Sequence, residues 1–434
     1  LGRHTTRYPS LVGLACRRPA SPSDDRHAPE RRQTQRNLGD TTLMSGPVSA
    51  RNQRYRRADR ARRAAFDALR SVNADGAYAN LVLPALLRER GLAGRDAAFA
   101  TELLAGTCRW QGSYDAIIAA AASRPLSEFQ PAVLDLLRLG THQILSMRVP
   151  VHAAVAASVD LAAVTVGERV AGLVNAVLRR VAERSLDDWL EQLSHGLDER
   201  DRLALRTAHP RWIVDAYAEL LQPTELEQAL SANNLSPNVC LAVRPGIADV
   251  SDLVQAGAQP SPYSPFGASW RGDPADLPFV RDGRAGVQDE GSQLVTWALT
   301  RAAAASGWWL DLCAGPGGKS ALLAGLARPD GSRLLASDLA PHRANLVSGA
   351  VRAYAAHGSA PSIVVADGAR PAWRAGSFTR VLVDAPCSGL GALRRRAESR
   401  WRRKPADLEQ LHSLQVALLA SAIDSAARGG VAGG

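Results

Sequence analysis

No feature constrains this chain more than the run Trp308-Trp309-Leu310-Asp311-Leu312-Cys313 and the string that follows it, Ala314-Gly315-Pro316-Gly317-Gly318-Lys319-Ser320. A short apolar run that ends in clustered glycines and gives way to a helical pattern reads as a strand, a tight turn and a helix start. Glycine lets the backbone adopt positive φ and approach a ligand closely. The first turn of the helix offers N–H groups that no residue of the helix itself can satisfy. The element is therefore a nucleotide-binding candidate within an α/β fold.

Two readings of this loop compete. A phosphate loop takes the form G-x-x-x-x-G-K-[ST], and counting back from Gly318-Lys319-Ser320 puts Cys313 where its first glycine must stand, so that motif fails. A nucleoside triphosphatase stays open as a rival because Val381-Leu382-Val383-Asp384 imitates the acid-ended strand of such enzymes. The second reading is a doubly wound sheet, whose ligands lie beyond the carboxyl ends of the strands near the point where strand order reverses. Acids should then appear at successive strand ends. Residues 333–337 lead to Asp338, 362–366 to Asp367 and 380–383 to Asp384. Asp338 lies 20 residues beyond Gly318, close to the ~20-residue offset at which an acid meets ribose hydroxyls. Asp338 is accordingly expected on a ribose and Asp367 on an adenine amino group. A lone strand-end Asp is more often a turn or cap residue, but three in phase with one glycine loop favour a ligand.

The rest of the chain supplies further domains. At 434 residues with 46% apolar content, two or three cores are expected. From residue 56 to 181 the apolar period stays near that of a helix. Val170, Leu173, Val174, Val177, Leu178 and Val181 fill one face, and Val133, Leu136, Leu137, Gly140 and Ile144 fill another behind Pro131. Residues 186–235 read as a helical connector. Residues 236–284, with short apolar runs among Pro, Gly and Ser, read as a small α/β subdomain, and residues 285–434 as the nucleotide-binding domain.

Charge and cysteines exclude several classes. Residues 1–63 hold 15 Arg against 5 acids, which equals the whole net charge of +10. Residues 1–55 therefore read as a disordered basic arm suited to a polyanion, since each phosphate neutralised releases a counterion. Met44 is a candidate start; if the chain starts there, residues 1–43 are upstream sequence and the arm keeps only the +6 of residues 44–63, 7 Arg against 1 Asp. The five cysteines, Cys16, Cys108, Cys240, Cys313 and Cys387, are widely spaced without a CxxC pair, so neither a disulfide framework nor a metal site is expected and a reducing cytoplasm fits. The longest apolar stretch, residues 151–166, is broken by Asp160, well short of the ~20 apolar residues that span a bilayer.

Asp384-Ala385-Pro386-Cys387-Ser388-Gly389 is the most specific string in the chain. With Val287-Gln288-Asp289-Glu290-Gly291-Ser292-Gln293 and residues 313–320 it resembles the RNA cytosine-5-methyltransferases, above all the RsmB/Sun family acting on 16S rRNA. The segments Arg95-Asp96, Thr101-Glu102-Leu103, Val151-His152-Ala153-Ala154-Val155 and Val174-Asn175-Ala176-Val177-Leu178-Arg179 resemble the NusB-like RNA-binding domain that precedes the catalytic part of that family, and His209-Pro210-Arg211-Trp212 resembles its connector. The likeness covers residues 56–434, departing locally at Arg244-Pro245, where relatives have Arg followed by Asn.

The resemblance implies a multidomain protein: an all-α NusB-like domain over residues 56–185, then a Rossmann-like S-adenosylmethionine-dependent methyltransferase domain. It implies a cofactor site of Cys313, Ala314, Gly315, Pro316, Gly317, Gly318, Lys319, Asp338, Arg343, Asp367 and Asp384, an RNA substrate and a monomer. Carbon 5 of cytosine is too electron-poor to attack a sulfonium methyl, so a thiolate first adds to carbon 6 and an acid near ring nitrogen 3 eases the addition. Asp384 matches that acid. Cys387 matches the family thiol that assists product release, whereas the family nucleophile lies in a Thr-Cys-Ser string that these residues lack. Methylation by the family mechanism is then expected to be absent unless Cys387 serves as nucleophile. A string of the Asn/Asp-Pro-Pro-Tyr type, which an adenine or glutamine methyltransferase would need, does not stand at residues 384–387.

Three further expectations concern structure. Residues 381–384 should form an unpaired sheet edge, and the helix over residues 408–427 should expose an apolar face. Residues 394–404, with seven bases and one acid around Trp401, should form an RNA track. A rival to the enzyme reading is a non-catalytic RNA-binding protein with a vestigial methyltransferase domain.

Overall fold

The computed structural model describes residues 58–358 and 360–434, so the basic arm and Cys16 lie outside the described residues. Six helices come first: α1 (Arg60–Ala74), α2 (Ala79–Glu89), α3 (Gly94–Ala122), α4 (Pro131–Leu145), α5 (Val151–Thr165) and α6 (Glu168–Val181). They share one apolar core. α4 starts on Pro131, whose missing N–H is one the first turn would leave unpaired anyway. α6 buries Ala171, Val174, Val177, Leu178 and Val181. Gly140 of α4 permits close approach of α6, because a Cβ there would sit 2.5 Å from the Leu178 side chain.

A buried charge cluster ties this bundle together. Asp135 of α4 is 1% exposed and accepts hydrogen bonds from Arg70 (2.7 Å) and Asn73 (2.7 Å) of α1 and from Arg138 (3.0 Å). Arg138 in turn donates two bonds of 2.7 Å to Asp115 of α3. A connector of four helices follows: α7 (Leu186–Ser194), α8 (Glu199–Thr207), α9 (Arg211–Ala218) and α10 (Pro223–Ala232).

The small subdomain is an antiparallel sheet in the order β2-β3-β1-β4, built from β1 (Val239–Val243), β2 (Gln259–Pro260), β3 (Gly267–Trp270) and β4 (Ala285–Val287), with helices α11 (Val250–Gln255) and α12 (Pro278–Arg281). Because β4 pairs with β1, this sheet runs past residue 284. After α13 (Glu290–Arg301) come β5 (Trp308–Asp311), α14 (Gly318–Ala327), β6 (Arg333–Asp338), α15 (Pro341–Ala355), β7 (Ser362–Val365), β8 (Phe378–Leu382), α16 (Ser399–Arg402), α17 (Ala406–Ser425) and β9 (Ala426–Gly433). The five strands pair in parallel in the order β7-β6-β5-β8-β9. The chain runs outward from β5 to β7 and then crosses to β8 and β9. The reversal lies between β5 and β8, where such sheets open a crevice at their carboxyl ends.

Two expectations are corrected here. Residues 381–384 are not an unpaired edge: β9 covers β8, with Val381 opposite Ala432 and the Val383 N–H donating to the Gly433 carbonyl at 2.9 Å. The covering strand is made by Ala426–Gly433, where Gly429 and Gly430 tolerate a bulged register that sequence texture does not announce. The apolar face of α17 is nonetheless exposed at Leu414, Val416, Leu419 and Ile423.

The basic stretch 394–404 is not a continuous RNA track either. Arg400 is fully buried and Trp401 donates its indole N–H to the Cys108 carbonyl of α3 at 2.7 Å. The centre of the stretch packs against the helical region because backbone carbonyls there need donors.

Asp135→Asn keeps the side chain's shape but leaves Arg70 and Arg138 short of a buried carboxylate. Breaking one partner of a buried ion network typically costs about 3–5 kcal/mol. Urea unfolding followed by helical circular dichroism should therefore show a lowered midpoint with an unchanged slope.

Candidate active site

The end of β5 is held from both sides. The Leu312 N–H donates to the Leu382 carbonyl of β8 (2.9 Å) and the Ala314 N–H to the Ser337 carbonyl of β6 (2.8 Å), so the loop that follows leaves the sheet at a fixed point. Gly317 has φ +105° and caps α14, and a Cβ on it would sit 2.7 Å from both Val347 and Ala350 of α15. A Cβ on Gly315 would sit 2.6 Å from Asp338 and from Arg343. These two glycines are thus required by the loop's own packing. Gly318 differs, since a Cβ there would meet nothing nearer than Gln288 at 3.6 Å.

Asp338 closes β6 and is 6% exposed. Its carboxylate accepts from the Gly315 N–H (2.9 Å) and the Ala340 N–H (3.0 Å), and Arg343 Nε lies 3.2 Å away. Arg343 also donates to the Gly315 carbonyl. Asp338 and Arg343 therefore both grip the turn at Gly315. Asp367 is half-buried and accepts from the Ala369 N–H at 3.0 Å, a turn-forming bond. Lys319 and Asp384 meet directly: the ammonium donates to the carboxylate at 2.6 Å. Cys387 is exposed three residues beyond Asp384, and Pro386 between them accepts from Gln415 of α17 at 2.9 Å.

Two residues at the site escaped the sequence reading. Asp311, the last residue of β5, was read as a strand position; it is 1% exposed and accepts from Ser320 Oγ of α14 at 2.6 Å. Burial is the main force raising its pKa to about 7, aided by Asp384 and Asp338 and opposed by the Ser320 bond and Lys319. An acid closing an otherwise apolar strand was the signal. Gln288 stands buried beside Gly318 with its side-chain oxygen unpaired, and its neighbour Asp289 pairs with Arg395. Its string was noticed only as part of a resemblance.

The cysteines separate by environment. Cys313 is pushed up to about 12, first by burial and then by Asp311, Asp338 and Asp384, so at neutral pH it is a thiol without nucleophilic character. Burial likewise raises Cys108 and Cys240. Among the described residues, Cys387 is the exposed thiol. Electrostatically, the loop is ringed by Asp311, Asp338 and Asp384, and its lysine is already paired. Asp338 is balanced by Arg343 and Asp384 by Lys319, so the loop carries no excess of positive charge to hold a triphosphate.

Comparison with known proteins agrees with this architecture. The NusB family model matches residues 59–183, and the model of the 16S rRNA methyltransferase RsmB/F family matches residues 298–432. The chain is 50% identical over 390 residues to Rv1407 of Mycobacterium tuberculosis (strain ATCC 25618 / H37Rv), whose name says methyltransferase and no more, covering 88% of this chain and 84% of that protein. It is 34% identical over 377 residues to the ribosomal RNA small subunit methyltransferase B of Pseudomonas putida (strain KT2440), covering 82% of this chain and 81% of that one. The crystal structure of PH0851 superposes with a TM-score of 0.71 at 19% identity, over 86% of this chain and 84% of its own, a likeness of fold. Relatives that align along nearly the whole described chain, together with matches to both of its halves, make this protein a member of the 16S rRNA methyltransferase RsmB/F family.

Proposed function

We propose that this protein transfers the methyl group of S-adenosylmethionine to carbon 5 of a cytidine in 16S rRNA, working as a cytoplasmic monomer. The observation that carries the reading is the glycine loop at the carboxyl end of β5, flanked by Asp338 and Asp384, whose lysine is committed to Asp384 rather than turned to a polyphosphate. The rRNA target is supported by what the Pseudomonas putida relative is named for. When bound, the cofactor supplies an electrophilic methyl group on a positively charged sulfur.

The chain's own residues take the following parts in this proposal. Residues 313–319 line the methionine end, Asp338 with Arg343 holds the ribose side, and Asp367 accepts from the adenine amino group. The Gln288 side-chain oxygen and the second Asp311 oxygen are buried acceptors without a hydrogen-bond partner. Asp384 is assigned to ring nitrogen 3 of the target base in this reading, and its ion pair with Lys319 balances its charge. Cys387 acts at carbon 6: its thiolate forms the carbon–sulfur bond and makes carbon 5 nucleophilic, and after carbon 5 has gained the methyl group, loss of the carbon-5 proton to water breaks the carbon–sulfur bond, frees the thiolate and restores the ring.

Three measurements test this. Calorimetric titration should give micromolar S-adenosylmethionine affinity, and Gly315→Ala should weaken it at least about tenfold, roughly 1.4 kcal/mol, because its methyl displaces Asp338 and Arg343. Absence of binding in the unmodified chain would leave an RNA-binding protein without this chemistry. Cys387→Ser should lower labelled-methyl transfer to 16S rRNA by about 10²–10⁴-fold, the range typical of losing a proton-transfer or covalent group, with cofactor affinity within twofold. Stability should fall as pH rises from about 4 to about 7, because Asp311 binds its proton more tightly folded than unfolded. Asp311→Asn should flatten that slope in thermal melts across the same range.

A further inference from the structure

The segment that carries Cys387 has almost no regular structure of its own. Between β8 and α17 lie a three-residue turn at Leu390–Ala392 and the single-turn α16. Yet the segment is ordered by contacts that come largely from outside the methyltransferase sheet. Tyr217 of α9 donates to the Leu390 carbonyl at 2.9 Å, and Arg394 donates to the Leu235 (3.3 Å) and Ser236 (3.4 Å) carbonyls. Arg402 donates to the Ala77 carbonyl at 2.6 Å, and Glu398 accepts from the Ala79 N–H at 3.3 Å.

Arg400 is the centre of this set. Its guanidinium is fully buried, and the groups it bonds are oxygens of the backbone and an amide: Ala208 O (2.9 Å), Asn234 Oδ1 (2.8 Å) and Asn233 O (3.3 Å), with Arg109 O at 3.5 Å. Ala208 is the C-cap of α8 and Asn233 the C-cap of α10. Two helix C-termini thus point their unsatisfied carbonyls at one cation, which is where a macrodipole favours positive charge. Burial, and next Arg109, lower its pKa to about 9, so the site holds the cation against a desolvation cost. Beside it the Trp401 ring fills the notch left by Gly112 of α3, where a Cβ would overlap it.

We propose that Arg400 and Trp401 are positioning residues for the reaction, through which the helical region and connector fix the conformation of the Cys387 segment. The proposal rests on Cys387 taking part in the chemistry. RNA seated on the helical region is then coupled to the thiol through these two side chains. A freestanding methyltransferase sheet would leave the segment unset.

The test uses the full chain and two variants that reach the seam from opposite sides. Arg400→Ala removes the cation. Gly112→Ala alters only α3, in which alanine is the better helix former, yet it pushes Trp401 out. In both, hydrogen–deuterium exchange of residues 386–404 should quicken at least tenfold while β5 and α14 stay protected. Methyl-transfer kcat should fall at least tenfold, with S-adenosylmethionine Kd within twofold. The proposal is overturned if residues 386–404 exchange as in the unmodified chain, or if exchange quickens equally in β5. If the unmodified chain transfers no methyl group, the functional reading fails, and the exchange pattern still decides whether these residues order the segment.

Discussion

Strand β5 is hydrogen-bonded on both edges, to β6 and to β8, and the site depends on where it stops. Bonds to Ser337 and Leu382 hold the residues just past its end, so the turn into α14 cannot slide along the sheet. Asp338 then accepts from the Gly315 N–H, and Asp311 accepts from Ser320, which ties the turn at its start and its finish. With the loop fixed at four points, Lys319 of α14 reaches Asp384, which follows β8. Strand order reverses here, the place where sheets of this kind take their ligands.

The second constraint is the seam between the helical region and the segment after Asp384. A guanidinium with five donors can satisfy carbonyls arriving from several directions, which a lysine ammonium could not match in geometry. That explains how a buried cation lacking a bonded carboxylate is accommodated, and why the halves matched by two different families are packed into one unit among the described residues from 58 onward. The arginine-rich stretch 394–404 therefore has two uses of its charge. Arg400 and Arg402 are spent on packing, while Arg395 pairs with Asp289 beside the crevice and Arg396 lies over the Tyr78 ring.

The glycine loop, the acids after three strands, the two apolar helical faces of α4 and α6 and the Pro-Cys string were legible in the residue order. Each of these is local: a period, a spacing or a turn requirement that neighbours in sequence set among themselves. The plainer alternatives were also legible, and some of them hold. Asp367 does form a turn bond, and Cys313 is held as a buried thiol. Less legible were β9, whose Ala426–Gly433 sequence is poor in strand-forming residues and becomes a strand because β8 offers it a free edge, and the burial of Arg400.

By itself, then, the sequence determined most of the order of elements, the position of the glycine loop, the family to which the chain belongs and the place of the Pro-Cys string, because propensity, periodicity and turn geometry act over a few residues. Tertiary structure alone decided that Lys319 and Asp384, 65 positions apart, would pair, that Asp311 would be an acid without water, and that Arg400 would meet Ala208 at a separation of 192. Such outcomes depend on desolvation and on groups brought together from distant stretches, and neither quantity is carried by any local window of residues.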